Sequence, residues 1–454
     1  MGGQLDVQPR PDIPLLNPMG DFEERAADWL PFAEALTRLV EAAVPLPPEE
    51  VPLSEARGRA LAEAVRSAVT LPRHPNSAMD GYAIQSDDVE GADAHRPREL
   101  KVVGRSSPGR PWNGTLEAGQ AVRIMTGGPI PTGADGVVRV EDTDREEVAM
   151  GRVRVLNDRD RGRHIRPLGE DIREGEVALP AGHGISSGSV ALLAGVGRTR
   201  VPVHRRARVA ILSTGDELVD PATFPHECGD AAIPDSNTPA LVAGLDALGC
   251  RPHSLGTVPD QEAALEQAIR SGLTSDVLIT VGGASMGDAD LVKRVLDGLG
   301  FELDFWRIRA RPGTPFGFGF LPREGDRPQP VLGLPGNPVS AFVTFQLLVR
   351  PFILRLMGHS QVSRPTVEAR MGTSVTSKGG FRQFIRVTLS GSAGEGWTAS
   401  PTGPQGSGLV SSIGRADGLA VIPESKETLA PDDPVQVILL GDGPGWPGEP
   451  CLAP

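Results

Sequence analysis

From Arg205 to about Gly358 the chain alternates short apolar runs with amphipathic stretches, and no other feature narrows the fold as far. The runs "RVAILS" (208–213), "HSLGTV" (253–258), "DVLIT" (276–280) and "QPVLGL" (329–334) read as strands. Residues 238–249, 261–272 and 289–299 between them, and 338–357 after them, carry helical patterning, with Asn237 or Ser236 as the cap of the first. Strand–helix alternation of this kind predicts a parallel sheet with helices on both faces. In such a sheet ligands bind in the crevice at the carboxyl ends of the strands.

Four strand ends carry loops of unusual content: "STGDEL" (213–218), "GTVPD" (256–260), "TVGGASMGDAD" (280–290) and "GLPGNPVS" (333–340). Glycine lets the backbone approach a ligand closely, and a following helix start offers free N–H groups to an anion. Pro338 suits the first turn of such a helix. The carboxylates Glu217, Asp260, Asp288 and Asp290 are then expected to converge on one crevice. Anion-seeking backbone beside acidic side chains makes sense around a hard divalent cation, and Mg²⁺ bridging phosphate oxygens meets that need. Taken singly, each loop reads more simply as a glycine turn with a capping aspartate; together at one edge they favour a site. No GxGxxG follows a strand and no GKS/T occurs, so dinucleotide and P-loop readings lose their main support.

The flanking text differs. Helical patterning at 28–43 and 54–66, the second with Ser54 as a plausible cap, precedes short β-type runs between 72 and 164. A serine-capped helix returns at 186–197, so the helical segments on either side of the β-rich insert are expected to form one discontinuous domain. After 362 β-type runs resume, which predicts a small barrel or sandwich. Residues 1–20 and 442–454 read as flexible tails.

Composition sets outer limits. The chain has 454 residues, too many for one core. Its net charge of −13 disfavours nucleic acid and anionic membranes as partners, so an anionic ligand must be held by local basic groups and helix ends. Three separated cysteines indicate neither a disulfide framework nor a cysteine zinc site, and no HExxH occurs. The start "MGGQLDVQPRPDIPLLNPMG" does not read as a signal peptide, and "VSAFVTFQLLVRPFILRLM" reads as a buried amphipathic helix. A cytoplasmic location is the resulting expectation.

Four further blocks stand out. "HPNSAMDGYAI" (74–84) places Asp80 before Tyr82, the sole tyrosine. "IMTGGPIPTGADGVVRVED" (124–142) contains Thr126 in either an anion-binding turn or a hairpin loop. The arginines of 152–166 read as a solvated basic face. "WRIRARPGTPFGFG" (306–319) puts Arg307, Arg309 and Arg311 on one face of a strand, where three like charges repel unless an anion lies across them.

Taken in order, "NSAMDGYA", "IMTGGPIPTGAD", "GEDI", "STGDEL", "GGASMGDAD", "PGTPFGFG" and "GLPGNPVSAFVTF" resemble the MoeA family of molybdopterin molybdenumtransferases, to which the C-terminal domain of gephyrin is related. The resemblance implies a multidomain α/β plus β fold. Its parts would be a discontinuous helical domain (21–71 and 165–203), a β-rich insert (72–164), an α/β domain similar to the molybdopterin adenylyltransferases (204–359) and a C-terminal β-barrel (360–441). It implies a homodimer with a site shared between subunits, and contacts with molybdopterin adenylyltransferase and molybdoenzyme apoproteins. The implied activity is Mg²⁺-dependent insertion of molybdate into adenylylated molybdopterin, releasing AMP.

By motif, the resemblance assigns Asp80, Thr126, Asp171, Glu217, Asp260 and Asp290 to catalysis, with Glu217, Asp260 and Asp290 on the metal. It assigns Gly282, Gly283, Ser285, Arg307, Arg311, Pro335, Gly336, Asn337, Pro338, Arg386 and Ser407 to substrate. The family usually has lysine where this chain has Arg307, Arg311 and Thr314. Arginine keeps the charge but is no compact ammonium, and threonine loses it. That departure motivates a tungstate-preferring or an inactive, scaffold-type member as the alternative. An adenylyltransferase is disfavoured by the extra domains and by the "GGASMGDAD" loop.

Overall fold

Alternation in the strand that starts the α/β unit decides how the layers stack. In β1 (Arg208–Thr214) Val209 and Ile211 enter one core, while Ala210 and Leu212 enter another. Both faces of the sheet are therefore apolar and both are covered by helices. The computed structural model describes residues 28–224, 231–282, 291–377, 379–392 and 394–441.

The unit continues through α1 (Asn237–Ala247), β2 (Arg251–Val258), α2 (Glu262–Gly272), β3 (Val277–Val281) and α3 (Leu291–Gly298). Then come β4 (Glu302–Phe305), β5 (Arg307–Arg311), β6 (Gly317–Leu321), β7 (Gln329–Leu334) and α4 (Pro338–Thr344). The sheet order is β2-β1-β3-β7-β6-β4. The first four strands are parallel, as the alternation predicted, and β6 and β4 extend the sheet antiparallel. α1 and α4 pack with Val209 and Ile211, and α2 and α3 with Ala210 and Leu212.

α4 runs on through a π-helical segment (Phe345–Val349) into the helix Arg350–Leu356. Among the described residues this is the one helix long and apolar enough to cross a membrane, yet 83% of its apolar window is buried inside the protein. It is a core helix, as its Gln346 and Arg350 suggested.

β5 does not join the α/β sheet. It lies between the strand Trp29–Pro31 and the strand Arg382–Ser392, in parallel with both. Five strands (Arg382–Ser392, Gly396–Pro401, Thr366–Met371, Pro434–Leu439 and Gly418–Ile422) close into a barrel, because Arg382–Ser392 pairs with both Gly396–Pro401 and Gly418–Ile422.

In the insert five strands form one sheet, in the order 136–139, 81–84, 120–124, 98–106, 152–155. Segments on either side of it in sequence pair with each other: Pro48–Pro52 with Arg200–His204, and Val65–Arg66 with Val177–Leu179. The helix Ser187–Gly195 begins with a capping box between Ser186 and Ser189. The helix expected at 54–66 is one turn only, Leu53–Ala56. Gly58, in the left-handed region at φ +79°, turns the chain out of it.

Candidate functional site

The carboxyl ends of β1, β3 and β7 meet with almost no side chain between them. Gly282 ends β3 at φ +87°, and a Cβ there would stand 2.6 Å from the carbonyl oxygen of Thr214. Gly336, beyond β7, faces it: a Cβ on it would lie in ordinary contact, 3.5 Å from the Cα of Gly282. At Gly282 only glycine allows the approach, so backbone lines this part of the crevice. Pro335 is buried behind it, whereas Gly336 and Asn337 are exposed.

Acidic groups gather at the β1 corner. The hydroxyl of Thr214 donates to Asp260 Oδ1 (2.5 Å), and the Asp260 N–H donates to Asp216 Oδ1 (3.1 Å). The Glu217 carboxylate folds back over its own turn, so that a Cβ on Gly215 would lie 2.8 Å from Glu217 Oε2. The loop after β1 and the loop after β2 are thus brought together through Thr214, Asp216 and Asp260. Among the described residues no group of three or more His, Cys, Asp or Glu side chains stands ready to hold a metal. Asp288 and Asp290, with Gly283 and Ser285, lie outside the described residues.

Asp235, which sequence reading passed over, organises the other flank. Its Oδ1 accepts from the N–H groups of Asn237 and Thr238 (3.0 Å each), and its Oδ2 from the Thr238 hydroxyl (2.5 Å). Thr238 in turn bonds Ser213 Oγ at the end of β1 (2.7 Å). Asp235 therefore caps α1, and neither Ser236 nor Asn237 uses its side chain for that purpose. Asn237 Nδ2 instead donates to the Gly336 carbonyl (2.8 Å), fixing the loop before α4. An aspartate ahead of the serine and asparagine was the available signal; the nearer cap candidates masked it.

The start of α4 departs from expectation. Its N–H groups were read as free for an anion, but that of Val339 donates to the Ser407 carbonyl (3.0 Å), which the barrel domain supplies. Pro338 occupies the first turn, as predicted. Arg386 is 1% exposed. Its Nε donates to Ser412 Oγ (3.1 Å), its Nη2 to the Gly406 carbonyl (3.1 Å), and its own N–H to Gln405 Oε1 (2.9 Å). Burial pushes this guanidinium down to about 10. Arg386 thus holds the 405–412 loop, and that loop places Ser407 on α4. Beside this junction a cavity of about 240 Å³ is lined mainly by apolar atoms of Ala240, Leu241, Phe342, Phe345, Val410 and Ile413.

β5 presents Arg307, Arg309 and Arg311 on one face and buries Ile308 and Ala310 on the other. Thr314 is tied back, its hydroxyl donating to the Ala310 carbonyl (2.8 Å). Gly313 lies against Thr344, so the carboxyl end of β5 abuts α4.

The remaining predicted residues stand apart. Asp80 and Thr126 meet on the insert, where the N–H and hydroxyl of Thr126 donate to Asp80 Oδ1 (2.7 and 2.9 Å). These bonds, the backbone one foremost, hold the Asp80 carboxyl below the usual range. Asp171 is exposed, and its N–H donates to the Leu71 carbonyl (3.1 Å). Asp80 and Thr126 are bonded to each other on the insert, whereas Asp260 is bonded to Thr214 and Asp216 on the α/β unit.

Three stretches match known family patterns. Residues 30–197 match the MoeA N-terminal region (domain I and II), 210–355 a "probable molybdopterin binding domain", and 368–440 the MoeA C-terminal region (domain IV). A molybdopterin molybdenumtransferase of Haemophilus influenzae is 37% identical over 322 residues, 71% of this chain and 76% of that protein. Molybdopterin molybdenumtransferase 2 of Mycobacterium tuberculosis is 35% identical over 396 residues, covering 86% of this chain and 94% of its own. A crystal structure of a molybdopterin biosynthesis moeA protein from Pyrococcus horikoshii superposes with a TM-score of 0.77 at 28% identity, covering 91% of this chain and all of its own.

Proposed function

Because the chain belongs to the MoeA family of molybdopterin molybdenumtransferases and so to molybdenum cofactor biosynthesis, we propose that it inserts molybdate into adenylylated molybdopterin and releases AMP. The observation that carries this reading is the glycine-only approach of Gly282 to Thr214, with Asp260 hydrogen-bonded beside it. It leaves backbone open to a diphosphate and carboxylates at its rim.

That donor set suits Mg²⁺, which is commonly held by one or two carboxylates with substrate phosphates completing the shell. Glu217 and Asp260 would hold the ion, joined by Asp290 as the family pattern implies. Bound there, Mg²⁺ supplies charge neutralisation for cleavage of the diphosphate P–O bond. The chain's own groups do the rest. Asn237 fixes Gly336, and Ser407 fixes the start of α4, so the loop that receives the substrate is rigid before it binds. Arg307 and Arg311 place the tetraoxo anion beside the pterin sulfurs. Asp80 and Thr126 complete the site from the partner subunit of a homodimer in the cytoplasm.

The test is incubation of purified protein with adenylylated molybdopterin, Mg²⁺ and molybdate, measuring AMP and active cofactor. Molybdate-dependent AMP release is expected, with Glu217→Ala slower by on the order of 100-fold. AMP release that ignores molybdate would overturn the reading. Replacing molybdate by tungstate in the same assay separates out the tungstate-preferring alternative that the arginine replacements raise.

A further inference from the structure

The three arginines of β5 are not equivalent. The pairing sets Trp29 opposite Arg307, Pro31 opposite Arg309, and Gln383 opposite Arg311, so these side chains share one face of the sheet. Arg311 lies over the ring of Phe381, its Cζ 4.6 Å from the centroid, and Phe381 meets the Trp29 ring edge-on at 5.6 Å. The Arg311 guanidinium is thereby held against the ring by a cation–π contact. Thr314 brings no cation from the following turn, and its hydroxyl is engaged with Ala310. Arg309 differs from both. It is exposed, and among the described residues its side chain has no hydrogen bond, ion pair or ring contact.

We propose that Arg309 is the specificity-determining contact for the tetraoxo anion, closing on it against a fixed Arg311. Side chains two apart on a strand stand roughly 7 Å from one another, a span that one tetraoxo anion bridges with a hydrogen bond to each. An anion lying across the strand relieves the repulsion between Arg309 and Arg311, so the pair gains most from a small, doubly charged ligand. The end of β5 turns through Gly313 onto α4, against Thr344 and the Ser340 carbonyl. The identity of the anion rests on the reading given above.

Calorimetric titration of the full-length protein with sodium molybdate tests this, comparing wild type, Arg309→Ala and Arg309→Lys. Arg309→Ala is expected to weaken binding by roughly tenfold or more with an unchanged melting temperature, and Arg309→Lys to recover part of the loss. In the full reaction the same change raises KM for molybdate and leaves kcat largely intact. Equal affinity in Arg309→Ala and wild type overturns the proposal, as does wild-type protein that binds no molybdate. Wild type that binds molybdate through Arg309 but releases no AMP upholds the anion site and overturns the transferase reading instead.

Discussion

Asp80 shows how much one carboxylate depends on its neighbour. Two bonds from Thr126 favour its charged form, so it stays ionised below the normal carboxylate range. A depressed folded value means the favourable interaction is present above the unfolded pKa and is lost only as pH falls through the lower, folded one. Thr126→Val keeps the backbone bond and removes the hydroxyl. The acid limb of the rate profile is expected to move to higher pH, while the rate near neutrality falls by no more than about tenfold. Asp80→Ala is expected to lose far more at every pH. A Thr126→Val profile that overlays the wild type would show that the hydroxyl does nothing for Asp80. Gly282 offers a sharper change still. Gly282→Ala needs a Cβ 2.6 Å from the Thr214 carbonyl in a left-handed conformation, so β1 and β3 must part at their carboxyl ends. Loss of AMP release with folding retained, judged by circular dichroism, is the expected pair of results.

Elements were legible where their causes were local. The period of β1 and β3, the Ser186 cap and the helix after "GLPGNP" all follow from residues a few positions apart. The helix misread at 54–66 failed on one left-handed glycine, Gly58, which a propensity argument weighs too lightly. Long-range pairing was invisible. Nothing in "WRIRARP" announces that its strand leaves the α/β sheet for Trp29 and Arg382, or that Val339 meets Ser407. The candidate loops after β1 and β7 could be picked out from the sequence, but the roles of Asp235 and Arg386 as holders of neighbouring loops required three-dimensional contacts.

The junction after the helix Arg350–Leu356 is another such contact, and it carries a stability prediction. Gly358 is left-handed at φ +81°, and a Cβ on it would overlap the His204 ring. Gly358→Ala is expected to destabilise by about 3 kcal/mol or more, read by chemical denaturation. Next to it, burial pushes His359 down to about 4, with Arg350 and His204 adding to the effect. Between about 6.5 and about 4 the unfolded chain takes up a proton that the folded chain refuses, so stability falls as pH falls through that window. His359→Gln is expected to remove roughly 1–2 kcal/mol of that pH dependence, allowing for partial exposure.

The molecule as a whole poses the remaining question, because the proposed site draws on residues of both the insert and the α/β unit. Asp80 and Thr126 lie on an insert whose strands pair with each other, and Asp260 lies on the α/β sheet. If the site is built between two subunits, Asp80→Ala and Glu217→Ala break different halves of it. A mixed dimer of the two inactive variants then holds one doubly broken site and one intact site. Random mixing makes half the dimers mixed, so about a quarter of wild-type AMP release should return when the variants are co-expressed. A site contained within one chain gives no recovery at any mixing ratio, since every chain carries a lesion. Light scattering on the same samples establishes whether dimers are present, so that absent recovery in a dimer counts against a shared site and not against assembly.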